Sequence, residues 1–175
     1  MMTLILGGAR SGKSDYAERL ARELNKPTLF IATAAASDDE MRVRIAHHRA
    51  ARSVEWQTLE VPMNIAAALG DVKFEVALLD CVTLLVSNIL LSLPADATFE
   101  TVMQKVDDEI DSFLSAQEKI GGEWLIVSNE VGLGLVPPYP LGRMYRDALG
   151  RANQTLARAA QKVIFMVAGI PMVVK

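Results

Sequence analysis

The residues with the most definite chemistry are Gly7-Gly8-Ala9-Arg10-Ser11-Gly12-Lys13-Ser14. They match the Walker A pattern Gly-x-x-x-x-Gly-Lys-Ser and lie where its mechanism requires, after the apolar run Thr3 to Leu6 and before a helical pattern. Glycines let the backbone curl so that its N–H groups and the helix N-terminus face phosphate oxygens. Gly7, Gly8, Ala9, Arg10, Ser11 and Gly12 thus read as a nucleotide cradle. Lys13 supplies a charge to the phosphates, and Ser14 supplies a hydroxyl ligand for Mg2+. The plain alternative is a glycine-rich strand-to-helix turn with a chance Lys-Ser pair, and the flanking strand and helix patterns weigh against it.

A phosphate loop of this kind needs an acid beside the magnesium ion. Val76-Ala77-Leu78-Leu79-Asp80 ends an apolar strand on an aspartate, so Asp80 is the candidate metal ligand, with helix N-cap as its competing role. Glu130, in Ser128-Asn129-Glu130-Val131-Gly132, is a second polar strand end. At the carboxyl edge of a parallel sheet it is placed to face nucleotide or substrate.

Ser37-Asp38-Asp39-Glu40 is a capping-box pattern, and Met41 to Arg52 after it carries Arg42, Arg44, Arg49 and Arg52 with no acid. The segment reads as a positive helix, either a solvated face or one turned toward phosphate. At about 100° per residue, His48 shares a stripe with Met41 and Ile45, while His47 lies with Glu40, Val43 and Arg44. His48 therefore reads as a packed residue, and His47 beside Arg44 as one that can present a nitrogen to a phosphate. Pattern alone makes neither catalytic.

These side chains need a scaffold that brings strand ends together. Strand-length apolar runs recur at Thr3 to Leu6, Thr28 to Ala32, Val76 to Leu79, Trp124 to Val127 and Val163 to Val167, with helical patterns between several of them. The expected fold is α/β and P-loop NTPase-like: one domain over residues 1–175, a mostly parallel sheet flanked by helices. Only Gly169 to Pro171 separates the last run from Met172 to Val174, too short for a parallel crossover, so an antiparallel edge strand should close the chain. Thr98 to Lys119 is an amphipathic helix with acids opposite its apolar stripe. The charge-free Val82 to Leu93 segment is either a core helix or a subunit contact.

With 175 residues, 51% of them hydrophobic, the chain can bury a core without a staple. A net charge of -3 provides no general basic field for nucleic acid. The longest uncharged stretch, Cys81 to Ala95, is too short to span a bilayer, and no signal segment opens the chain, so a cytoplasmic location is expected. Cys81 is the only cysteine and reads as a small buried residue.

Taken in order, Gly7 to Ser14, Ile31-Ala32-Thr33, Asp39-Glu40-Met41 with Arg44-Ile45 and His47, Asn129-Glu130-Val131-Gly132 with Val136-Pro137, and Gly150 with Asn153 resemble one family over essentially the whole chain. This is the bifunctional adenosylcobinamide kinase and adenosylcobinamide-phosphate guanylyltransferase family. The resemblance implies phosphorylation of a corrinoid, adenosylcobinamide, by ATP or GTP. It also implies transfer of GMP from GTP to the product through GMP carried covalently on a histidine, which by motif position is His47. A homotrimer is implied as well. Two other readings share the phosphate loop: a kinase of another small metabolite, and a non-catalytic GTP switch. The switch is disfavoured because Asn25-Lys26-Pro27-Thr28 lacks the aspartate of an Asn-Lys-x-Asp guanine signature.

Overall fold

The computed structural model describes residues 1–35 and 53–175. The expected positive helix, with Arg44, His47 and His48, lies outside the described residues.

The described chain forms seven strands and five helices in the order β1 (Met2–Gly7), α1 (Lys13–Leu24), β2 (Thr28–Ala32), β3 (Gln57–Glu60), α2 (Ile65–Leu69), β4 (Val76–Asp80), α3 (Val82–Ser92), α4 (Phe99–Ile120), β5 (Glu123–Val127), α5 (Pro140–Ala159), β6 (Lys162–Val167) and β7 (Ile170–Val173). One sheet in the order β3-β2-β4-β5-β1-β6-β7 contains all seven strands. Pairing is parallel from β3 to β6, and only β7 runs antiparallel, against β6. The mostly parallel sheet and antiparallel closing strand match the sequence expectation.

The parallel strands are apolar on both faces because helices cover both. Leu4, Leu29, Ile31, Ala77, Leu79, Trp124 and Ile126 point into one layer with α3, α4 and α5. Ile5, Phe30, Leu78, Leu125 and Val127 point the other way, onto Ala17 and Ala21 of α1. Successive strand residues alternate between the two layers, as a two-residue period requires.

Local chemistry sets the helix ends. Thr98 caps α4 by accepting the Thr101 N–H at 3.2 Å, Glu100 and Lys119 complement the dipole at its two ends, and Gly121 follows with φ 72°. Just beyond, the Trp124 indole N–H donates to the Gly121 carbonyl at 2.7 Å. The Trp124 ring meets Phe74 and Phe113 edge-on at 5.4 and 5.5 Å. Such pairs add about 0.5–1.5 kcal/mol beyond area burial, which ties β5 firmly to α4. Most of α3 is core: Val82, Leu85, Val86 and Ile89 are buried, while Leu91 is 69% exposed.

Strand β3 has no counterpart among the apolar runs. Gln57-Thr58-Leu59-Glu60 is an edge strand with only Leu59 partly buried, so no hydrophobic pattern marks it.

Candidate active site

In a parallel sheet every strand delivers its carboxyl end to the same edge, and β1, β2, β4 and β5 do so here. Ala9, Arg10, Ser11, Gly12, Lys13, Ser14 and Asp15 line a cavity of about 510 Å³ together with Phe30, Ala32, Ala34, Asp80, Cys81, Thr83 and Asn129. That volume lies in the range of small-molecule sites, roughly 300–1,000 Å³.

The glycines of the loop are sterically enforced. A Cβ on Gly7 would lie 2.6 Å from Ser11 Oγ and 2.7 Å from the Met166 carbonyl oxygen. Gly12 has φ 88°, a left-handed conformation that glycine adopts without strain. It starts α1 with no side-chain cap, so the backbone N–H groups of the first turn are oriented for an anion. Arg10 is exposed, with φ 57°.

Lys13 is 8% exposed. Its Nζ donates to the Gly8 carbonyl at 2.6 Å and to Ser11 Oγ at 3.5 Å. Burial lowers its pKa from 10.5, opposed by electrostatic coupling to Cys81 and to the Asp80 carboxylate. Asp80 is the last residue of β4, and the cap position of α3 falls on Cys81, so Asp80 is not the helix N-cap. Asp80 lines the cavity together with Lys13 and Ser14, and its charge is coupled to Lys13. The Cys81 thiol is pushed up to about 12, first by burial and then by the Asp80 charge. The thiol therefore stays protonated near neutral pH and is a poor nucleophile. Cys81 packs against the α1-side core layer, in keeping with a structural thiol, and it also lines the cavity.

A shell of polar residues fixes these strand ends. The Thr33 hydroxyl, fully buried beyond β2, donates to the Cys81 carbonyl at 2.7 Å and accepts the Cys81 N–H at 2.8 Å. Asn88 of α3 donates to the Thr33 carbonyl at 2.8 Å. The Asn129 N–H donates to Thr83 Oγ1 at 2.8 Å, and Asn153 of α5 donates to the Asn129 carbonyl at 3.0 Å while accepting from Ser128 Oγ at 2.7 Å. Thr33, Asn129 and Asn153 stood in the motif set of the resemblance without an assigned role, and Thr83 stood outside it. The available signal was a polar residue directly following an apolar strand, in Ile31-Ala32-Thr33 and Val127-Ser128-Asn129.

Glu130 is placed differently from the other nucleotide-site candidates. Its backbone N–H donates to the Gly7 carbonyl at 3.1 Å, but its side chain lines a neighbouring groove and accepts the Gly132 N–H at 2.9 Å.

Oxygen donors, two or fewer carboxylates and room for phosphate are what a magnesium–triphosphate complex requires, since Mg2+ completes its shell with phosphate oxygens and water. Ser14 and Asp80, both lining the cavity, fit that demand. Among the described residues no three His, Cys, Asp or Glu side chains converge to form an all-protein metal cage.

Comparison with known proteins agrees with the sequence resemblance. The family model described as cobinamide kinase / cobinamide phosphate guanyltransferase matches residues 3–174. The bifunctional adenosylcobalamin biosynthesis protein CobP of Pseudomonas aeruginosa is 44% identical, over 100% of this chain and 98% of that protein. The Escherichia coli protein CobU, with the same bifunctional description, is 40% identical over the full length of both. Among solved structures, the RadB recombinase aligns with TM-score 0.51 at 13% identity, covering 94% of this chain and 73% of that one, a likeness of fold alone.

Proposed function

Because the chain belongs to the cobinamide kinase / cobinamide phosphate guanyltransferase family, we propose that residues 1–175 act as one catalytic domain whose single phosphate cradle serves both reactions in turn. The observation that carries this reading is the convergence of Lys13, Ser14 and Asp80 on one cavity built on the Walker A loop.

In the kinase step, the loop N–H groups and Lys13 hold the β- and γ-phosphates of ATP or GTP. The hydroxyl of adenosylcobinamide attacks the γ-phosphorus, its proton leaves, and the bond to the β-bridging oxygen breaks. In the guanylyl step, the same grip on the β- and γ-phosphates steadies pyrophosphate as leaving group while the α-phosphorus is attacked. The nucleophile is a nitrogen of neutral His47, with Arg44 favouring the approaching anion. Adenosylcobinamide phosphate then displaces the imidazole, giving adenosylcobinamide-GDP. Ser14 and Asp80 would hold Mg2+, which neutralises phosphate charge when bound. The remaining features of this reading are a homotrimer and a cytoplasmic location. No described helix is long and apolar enough to cross a membrane.

The decisive experiment is incubation with α-labelled GTP followed by peptide mapping. The expected result is an acid-labile, base-stable phosphoramidate on the peptide containing His47. His47→Ala should lose that adduct and retain γ-phosphoryl transfer to cobinamide, since the hydroxyl needs no histidine nucleophile. An adduct that persists in His47→Ala, or maps to His48, would place the nucleophile elsewhere.

A further inference from the structure

Beside the phosphate cavity, a groove of about 600 Å³ opens between the end of β5 and one face of α5, with Leu6 in its floor. The two depressions share one strand end as a wall: Asn129 lines the phosphate cavity and Glu130 lines the groove. That wall is joined to the phosphate loop at its first glycine, through the Glu130 N–H and the Gly7 carbonyl. Gly8, the next residue, receives the Lys13 ammonium. A molecule seated in the groove therefore lies one strand end away from the phosphates that Lys13 holds.

Gly150 keeps one side of the groove open. It sits in the middle of α5, where glycine weakens a helix relative to alanine. Among the described residues a Cβ there would meet nothing within 4 Å, so no described helix or strand requires the glycine. What it preserves is open space on the groove wall, where glycine permits a ligand to approach the backbone closely.

The charges indicate the kind of ligand. Arg146 Nε lies 3.4 Å from Asp147 Oδ1, and Arg151 Nη2 lies 2.6 Å from Asp107 Oδ2 of α4. Both guanidinium groups of the groove are thus already balanced by carboxylates, which suits a neutral ligand better than a second set of phosphates. With Glu130 and Gln154 they present donors and acceptors in mixture, over the apolar floor of Leu6 and Ala157.

We propose that this groove is the acceptor site, taking the carboxamide-bearing edge of the cobinamide corrinoid and directing its hydroxyl over the Glu130–Gly7 wall toward the γ-phosphate. The proposal rests on the cobinamide kinase reading above. It is tested by steady-state kinase kinetics with cobinamide and ATP varied separately, alongside thermal unfolding, for the wild type, Gly150→Ala, Gly150→Leu and Gln154→Ala. Gly150→Ala should unfold at a higher temperature than the wild type yet show a several-fold higher KM for cobinamide, a combination that a purely structural glycine would not produce. Gly150→Leu should raise that KM by about tenfold or more, in the range that crowding or emptying an apolar pocket produces. The KM for ATP should stay unchanged in every variant. If Gly150→Leu does not fold, Gly150→Ala and Gln154→Ala decide the question.

An unchanged KM for cobinamide in the folded variants would overturn the acceptor assignment. So would a rise confined to the KM for ATP, which would make the groove a nucleotide subsite. A wild-type enzyme that does not phosphorylate cobinamide at all would instead overturn the functional reading beneath it.

Discussion

Lys13 must be charged to hold a triphosphate, yet its surroundings work against that charge. Burial lowers its pKa from 10.5, and electrostatic coupling to Cys81 and to the Asp80 carboxylate compensates only in part. A bound triphosphate brings further negative charge beside Nζ and so favours the protonated lysine. Nucleotide binding and protonation of Lys13 are therefore linked, and affinity should fall as pH rises through a pKa that lies below 10.5. In Lys13→Ala both γ-phosphoryl and guanylyl transfer should drop by about 10²–10³-fold or more, the scale of losing one preorganised charge at the transition state. The residual nucleotide binding of that variant should also lose the alkaline decline seen in the wild type. Titrating nucleotide affinity against pH in the two proteins checks this. Guanylyl transfer that survives in Lys13→Ala while kinase activity is lost would mean that the two reactions do not share the cradle.

At the level of elements, catalysis depends on how the ends of β1, β2, β4 and β5 are held relative to one another, and Thr33 is the clearest fastening. Its hydroxyl satisfies both backbone groups of Cys81, the residue between the Asp80 carboxylate and α3. Thr33→Val keeps the shape but leaves a buried N–H and C=O without that partner, at a cost of about 1–3 kcal/mol in stability. Because the fastening adjoins Asp80, the variant should also need more Mg2+ for half-maximal kinase rate, and Thr33→Ser should restore the wild-type requirement. Lower stability with an unchanged Mg2+ dependence would reduce Thr33 to a structural role.

This fastening also marks the limit of what the chain shows when read in one dimension. Gly7 to Ser14 could be identified because its eight residues are contiguous and sit between a strand and a helix pattern, and Asp80 because a phosphate loop demands an acid at a strand end. Thr33 and Cys81 are 48 positions apart, and Asn129 and Asn153 are 24 apart. No local pattern announces such pairs, since they exist only once β2 lies beside β4 and α5 packs against the sheet. Strand β3 escaped notice for a different reason: an exposed edge strand is held by backbone pairing with β2 rather than by an apolar face.

For the molecule as a whole, the open question of surface is at the antiparallel edge. Edge strands are normally protected by charge, by covering elements or by brevity, because their unpaired backbone invites another chain. Strand β7 pairs with β6 on one side and with no described strand on the other. Residues Ile170 to Val174 carry no charge, and Ile170, Met172 and Val173 are each more than half exposed. Brevity and Pro171 blunt this edge, yet its exposed apolar row remains a surface that closed association of copies would cover. The homotrimer proposed above should accordingly sediment at about three times the 19.1 kDa chain mass at micromolar concentration. Val173→Lys combined with Met172→Lys should shift that boundary toward the mass of one chain while leaving the far-ultraviolet circular dichroism unchanged, because both positions lie at the sheet edge rather than in either core layer. A wild-type boundary at one chain mass would reject the trimer. A trimer that persists unaltered in the double variant would show that the chains meet on a surface other than β7.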